Sequence, residues 1–252
     1  GEVTPRIYGV YHLNDVLTLK GGVSTGYKQP AISQISEGFG SRTGKGSGVI
    51  IGNPDLSPEK STSYELGFNF SDPELGLTSS LMVFKSDFKD KIVENRLCET
   101  PGTTNCSPVQ DWKCSANGNP YRFVSQMINV SDAEMKGVEF TLDYDLLDNL
   151  SASTSYTYTE SEQKSGEFKG QPLNKMPKHM LNIGLNYDVS DDWNTWIDYN
   201  YRGKTSDYLS RTSMSSGTPA YGTIDAGAVY KASEKLSLTA GVYNLANKTP
   251  VE

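Results

Sequence analysis

From residue 63 to residue 70 the chain alternates without a slip. Tyr64, Leu66, Phe68 and Phe70 fall on one side, and Ser63, Glu65, Gly67 and Asn69 on the other. A period of two with one apolar side predicts a strand with an oily face and a wet face. Pro54 and Pro58 precede it. Each fixes φ and lacks an N–H, so the approach is a rigid, irregular lead-in and the strand is expected over 62–72.

The same alternation recurs along the chain. Leu17, Leu19, Gly21 and Val23 oppose Thr18, Lys20, Gly22 and Ser24, while Leu181, Ile183, Leu185, Tyr187 and Val189 oppose Asn182, Gly184, Asn186 and Asp188. Strands are expected at 5–14, 16–28, 62–72, 77–94, 121–146, 150–160 and 178–189, then one from Trp193, and finally at 222–232 and 236–247. Between Met135 and Val138 the apolar period shifts around Gly137, which predicts a bulge or kink there. Tight turns such as Asn14-Asp15 and Ser190-Asp191-Asp192 alternate with long connections at about 29–61, 95–121, 161–177 and 203–221. In an up-and-down arrangement all the tight turns then lie at one end and all the long loops at the other. That sorting marks an all-β, antiparallel transmembrane β-barrel. A soluble sandwich has no reason for it.

Composition changes this picture little. Only 36% of the 252 residues are hydrophobic, and no run approaches the roughly 18 apolar residues of a membrane helix. A transmembrane barrel escapes that test, because half of each strand faces water. Tyr outnumbers Phe, 15 to 8, which suits a membrane–water boundary. A net charge of −7 disfavours nucleic acid as a partner. Gly1 is not an initiator Met, so either a leader has been removed or the chain is an internal piece. Cys98, Cys106 and Cys114 are spaced unlike a zinc site and have no His nearby. An exported protein would pair two of them, and sequence cannot choose which. Closing the Cys98–Cys106 loop is the preferred pairing and leaves Cys114 over.

The lead-in Asn53-Pro54-Asp55-Leu56-Ser57-Pro58-Glu59 followed by Ser63-Tyr64-Glu65-Leu66-Gly67 resembles the barrel segment of TonB-dependent outer-membrane receptors. Other stretches resemble the ferric-catecholate and colicin I receptor branch of that family. They include Val3-Thr4-Pro5-Arg6-Ile7-Tyr8, Lys20-Gly21-Gly22-Val23-Ser24-Thr25-Gly26-Tyr27-Lys28-Gln29-Pro30 and Lys136-Gly137-Val138-Glu139-Phe140. Lys169-Gly170-Gln171-Pro172-Leu173, Tyr201-Arg202-Gly203-Lys204-Thr205 and Asn244-Leu245-Ala246-Asn247-Lys248 extend the match over nearly the whole chain, the cysteine-bearing loop excepted. The resemblance implies a barrel of about 22 strands with a plugged lumen. These ten strands would be the C-terminal portion of that barrel, without the plug, the TonB box, the first half of the wall or the last strand.

It further implies an outer-membrane receptor that binds a ferric siderophore and imports it by TonB-coupled transport, without covalent chemistry and without a cofactor. Its partners would be the siderophore, TonB with ExbB and ExbD, outer-membrane lipid and lipopolysaccharide, and a bacteriocin in some settings. A ferric tris-catecholate is anionic with aromatic faces, so such a receptor wants Arg and Lys for charge and Tyr or Trp for stacking on its outer loops. The residues of that kind are Arg42 and Lys45 in the first loop, Trp112, Tyr121 and Arg122 at the second, Lys169 in the third, and Arg202, Lys204, Tyr208 and Arg211 at the fourth. For any one of them a solvated loop charge is the plainer reading. Two other readings compete with the receptor. A ten-stranded barrel protease would need Asp and His together at the outer rim, where His179 with Asp207 is the available pair and His12 lies at the opposite end. A diffusion porin is the other.

Overall fold

The computed structural model describes residues 2–36, 40–165, 169–173, 176–205, 208–209 and 214–248. In chain order the strands are β1 (Arg6–His12), β2 (Leu17–Lys28), β3 (Gly40–Thr43), β4 (Gly48–Ile51), β5 (Glu59–Asp72), β6 (Leu77–Glu99), β7 (Cys114–Ala116) and β8 (Asn119–Tyr121). They continue with β9 (Phe123–Leu147), β10 (Leu150–Gln163), β11 (His179–Ser190), β12 (Trp193–Arg202), β13 (Tyr208–Leu209), β14 (Met214–Ser215), β15 (Tyr221–Ser233) and β16 (Leu236–Val242). Ten of them form one antiparallel path, β1-β2-β5-β6-β9-β10-β11-β12-β15-β16. This is the ten-strand meander that the alternation predicts.

Pairing register makes the two faces continuous. Leu19 lies opposite Phe68, Phe68 opposite Leu81, Leu81 opposite Phe140, Phe140 opposite Tyr156, and Tyr156 opposite Leu181. A parallel row one step nearer the turns runs through Ile183, Tyr199 and Ile224. These side chains are left open to the surroundings: Leu66, Phe68, Leu81, Val83, Leu185 and Ile197 are all exposed. An unbroken exposed apolar face over ten strands is suited to hydrocarbon, not to water. Aromatic contacts flank it. Near the turns Trp193 stacks on Tyr230 at 4.7 Å between ring centroids, and near the loops His179 lies against Tyr156 and Tyr158. The opposite face carries Glu65, Asn69, Thr141, Asp143, Asn182, Asn186, Asp198, Asn200 and Asp225. Side-chain bonds such as Asn182 to Ser155 and Asn200 to Asp225 cross its strands.

Gly137 is not a bulge. β9 pairs without interruption through it on both sides. The apparent shift in period arises because Met135 belongs to the polar face and Val138 to the apolar one. A side chain at 137 would strike the Phe84 ring, so glycine is required by close approach. The real irregularities lie further along β6, between Phe88 and Lys91, between Lys91 and Ile92, and between Arg96 and Cys98.

β6 and β9 reach well beyond their neighbours and form a tongue above the wall. β5 stops pairing with β6 at Lys60 opposite Lys89, yet β6 continues to Glu99. At ~3.3 Å per residue the extension is roughly 30 Å. Such a ribbon is marginal alone, and three devices support it. β4 adds to β9 in parallel, and β3 pairs with β4. The β7–β8 hairpin covers one face, burying Val49, Cys114, Tyr121 and Val124 together. On the other face Phe123, fully buried, has the Arg96 guanidinium 3.7 Å and the Arg122 guanidinium 4.8 Å from its ring centroid. Gly44 and Gly48 leave the room this ring occupies.

The disulfide joins Cys98 to Cys114, not Cys98 to Cys106. The hairpin turn at 117–118 returns the chain so that Cys114 sits beneath the end of β6. Cys106 is exposed and unpaired on the intervening loop. Under denaturing, non-reducing conditions alkylation should therefore modify Cys106 alone, and all three cysteines after reduction. Removing the bond with Cys98→Ser and Cys114→Ser, which frees a link across 16 residues, should cost the tongue about 3 kcal/mol. Protease cleavage within 99–113 reports it, with Cys106→Ser as the silent control.

Candidate functional site

The residues singled out from sequence fall into distinct settings. Arg42 and Lys45 are exposed on the β3–β4 hairpin, Lys45 with φ 56°. Trp112 is half-buried beside the disulfide loop. Tyr121 is buried in the tongue's core and Arg122 is engaged with Phe123 and with Glu99, whose Oε1 lies 2.9 Å from its Nη1. These two hold the platform together. Lys169 is exposed at a turn. Arg202 is exposed and, by strand alternation, on the polar face, where it helps to line a cavity of about 390 Å³ with Asn182, Asn200, Tyr221 and Thr223. Lys204 is exposed. Arg211, Asp207 and the side chain of Tyr208 lie outside the described residues.

The loop end of the polar face also holds a cleft of about 400 Å³. Alternation turns Lys28, Glu59, Ser61, Phe88 and Met135 into it, and Leu173 folds over it, its N–H donated to Ser161 Oγ at 2.9 Å. Tyr27, Lys60 and Lys89, which alternate to the other face, border it. Lys91 joins through the irregularity in β6. Phe88 pairs with Ala133 and Lys91 with Ser131, so β6 advances three residues while β9 advances two. The extra residue includes Asp90 at φ 55° and brings Lys91 to the polar face.

The cleft is fastened from several strands. Lys28 Nζ donates to Glu59 Oε2 at 2.7 Å, and the Ile92 N–H donates to Glu59 Oε1 at 2.9 Å. Asn129 on β9 donates to the carbonyls of Asp90 and Ser57 and accepts from the Ser57 N–H. Asn53 donates to the Met127 carbonyl, and Gln126 donates to the Gly52 carbonyl. The proline-bearing lead-in is thus stitched to β9 by side chains, since its prolines cannot join a ladder. Burial raises the Glu59 pKa, but the Lys28 hydrogen bond, then the Ile92 N–H, then the charges of Lys28 and Lys91 outweigh it, and the net shift is downward.

Chemically the arrangement offers charge and contact surfaces. Two ammonium groups face one carboxylate, beside an aromatic ring and two flexible apolar side chains. That composition suits an anion with flat or apolar surfaces. His12 lies on the polar face but at the turn end, opposite Thr18 and bonded to its Oγ1, and His179 points to the lipid face with Tyr156 and Tyr158, so neither histidine reaches the loop-end cleft. Sequence reasoning passed over Lys28, Glu59, Phe88, Lys91 and Met135. Lys28 ends β2 just before a long connection and Glu59 opens β5 just after it, a readable cue, but only pairing brings five residues of four strands together.

A membrane-spanning antiparallel wall with its long loops at one end defines a transmembrane β-barrel. The pattern of one barrel family, described as "TonB dependent receptor-like, beta-barrel", matches residues 1–245, and the chain belongs to that family. It is 39% identical over 243 residues to the iron-regulated outer membrane virulence protein of Vibrio cholerae, covering 96% of this chain and 35% of that protein. It is 29% identical over 263 residues to the ferric enterobactin receptor of Pseudomonas aeruginosa, covering 97% and 33%. Among solved structures, the siderophore receptor PirA from Acinetobacter baumannii superposes with a TM-score of 0.73 at 25% identity, over 97% of this chain and 37% of that one. A mutant of the Pseudomonas aeruginosa ferric enterobactin receptor in complex with enterobactin gives 0.72 at 26%, over 97% and 35%. The chain thus spans about a third of the length of the curated relatives it matches.

The Glu59 clasp has a defined acid limit. A carboxylate whose folded pKa lies below its ordinary 4.5 adds stability that is complete above that value and is lost as pH falls through the lowered one. In the intact receptor the Ile92 amide should stay protected from hydrogen exchange at pH 7 and pH 5 and lose protection under stronger acid. Glu59→Gln should lower protection at neutral pH and remove the acid step.

Proposed function

We propose that the chain is the ligand-facing part of an outer-membrane receptor for a ferric siderophore of the catecholate class, imported by TonB-coupled transport. The observation that carries this reading is the cleft at the loop end of the lumen. Lys28 and Lys91 supply charge, Phe88 a ring face, and Met135 and Leu173 an adaptable apolar wall. The relatives named for enterobactin support the ligand class. Iron enters as the siderophore's cargo and not as a resident cofactor. The exposed cations Arg42, Lys45, Lys169, Arg202 and Lys204, with Arg211, draw the anion toward the mouth, where electrostatic attraction raises encounter rates, and Trp112 and Tyr208 offer ring faces for stacking. Energy enters from TonB with ExbB and ExbD. Outer-leaflet lipid, including lipopolysaccharide, surrounds the wall, and a bacteriocin would meet the same loops.

Lys28→Gln combined with Lys91→Gln in the full-length receptor tests the reading. Charge-assisted hydrogen bonds contribute about 1.5–3 kcal/mol each, so affinity for a ferric tris-catecholate should fall about tenfold or more per lysine, with a weaker salt dependence. Titration calorimetry with radiolabelled uptake in parallel measures both. Unchanged affinity in the double variant would remove the cleft from the binding site. Failure of the wild type to bind any anionic ferric siderophore would remove the proposed function.

A further inference from the structure

The lipid-facing side of the wall ends abruptly in charge. On β6 the outward positions after Val83 are Lys85 and Asp87. On β9 those after Val138 are Lys136 and Glu134, and on β10 those after Tyr158 are Glu160 and Glu162. On β5 the outward series Tyr64, Thr62 reaches Lys60, and Lys89 of β6 lies directly opposite it. Charged residues immediately beyond an apolar band stand at the height of lipid headgroups.

Two lysine pairs face each other across strands in this rim: Lys85 opposite Lys136, and Lys60 opposite Lys89. Like charges in that position repel. The first pair is neutralised within the protein. Glu134 lies 3.1 Å from Lys85, 3.9 Å from Lys136 and 3.4 Å from Lys164. Asp87 lies 3.2 Å from Lys85, and Glu160 lies 3.6 Å from Lys136 and 3.5 Å from Lys178. The second pair differs. Among the described residues no carboxylate comes within ion-pair distance of Lys60 or Lys89, and both side chains are exposed. Glu59, next in sequence to Lys60, turns to the other face and is held by Lys28.

We propose that Lys60 and Lys89 form an outward-facing site for the phosphate of an outer-leaflet lipid headgroup. The two lysines stand opposite each other on adjacent strands, and among the described residues no carboxylate pairs with either, unlike the neighbouring Lys85 and Lys136. Long lysine side chains at a membrane boundary can reach along the wall to a headgroup phosphate. The neighbouring acid–base ladder confines the anion site to this pair. The site sits on the lipid side, so its occupant is a lipid and not the lumen's ligand.

The test is native mass spectrometry of the full-length receptor in detergent, with a bis-phosphorylated glucosamine glycolipid and its dephosphorylated form as probes. Wild type should retain the phosphorylated lipid and little of the other. Lys60→Gln with Lys89→Gln should reduce retention on the order of thirtyfold, from two lysines lost beside an anionic surface. Lys60→Arg with Lys89→Arg should keep it. An unchanged disulfide and heat-resistant electrophoretic migration confirm that each variant is folded. Equal retention of the dephosphorylated lipid, or equal retention by the Gln variant, would each overturn the proposal.

Discussion

A backbone N–H or C=O in hydrocarbon must find a partner within the protein, because no water is there to supply one. That constraint dictates the wall. Between Leu77 and Phe88 every residue of β6 is paired on both sides, with β5 and with β9. Once the ladders are continuous, alternation leaves only two destinations for a side chain. A slip of one residue would exchange the faces and put Asp143 and Asn182 into lipid. Register is therefore enforced by solvent on both sides of the sheet, apolar outside and polar within. The barrel needs no buried core of its own, and the clustered core of this chain lies in the tongue instead.

Above the band the same two strands obey a different rule. Water can satisfy their backbone there, so pairing alone no longer holds them in place. The tongue compensates by building a small soluble domain on the end of a membrane ribbon. A parallel strand, a covalent bond between Cys98 and Cys114, and a ring clasped by two guanidinium groups provide it. The lead-in then crosses from β4 toward β5 pinned by Asn53, Gln126 and Asn129. The mouth of the lumen is consequently framed by paired strands and by segments stitched to them.

Alternation and turn chemistry made most of the wall legible before any coordinates: ten strands, their order, and the end at which each connection emerges. Both are short-range signals written every second residue. What stayed hidden depends on contacts distant in sequence. The choice of Cys114 over Cys106 requires knowing that β7 and β8 fold back under β6. The parallel pairing of Val49 with Val124 spans loops with no periodic signature. Tyr121 and Arg122 looked like displayed ligand contacts because composition cannot distinguish an aromatic in a loop's core from one on its surface. Gly137 looked like a kink because Met135, read as part of the apolar series, belongs to the lumen. The cleft was missed for the same reason: its parts come from β2, β5, β6 and β9 and meet only through register.

One inserted residue joins these themes. Lys89 and Lys91 are two apart on β6, and uninterrupted alternation would send both to the lipid side. The added residue between Phe88 and Lys91, where Asp90 takes φ 55°, reverses the parity. Lys89 remains outward with Lys60, and Lys91 turns inward toward Glu59 and Lys28. The irregularity lies where β5 leaves the sheet, so it is compatible with the ladder requirement that governs the band beneath it. A bulge at Gly137, within that band, would have put a polar residue into lipid. At the rim the same device distributes positive charge between two compartments, with one lysine on the outward face of the wall and one toward the mouth of the lumen.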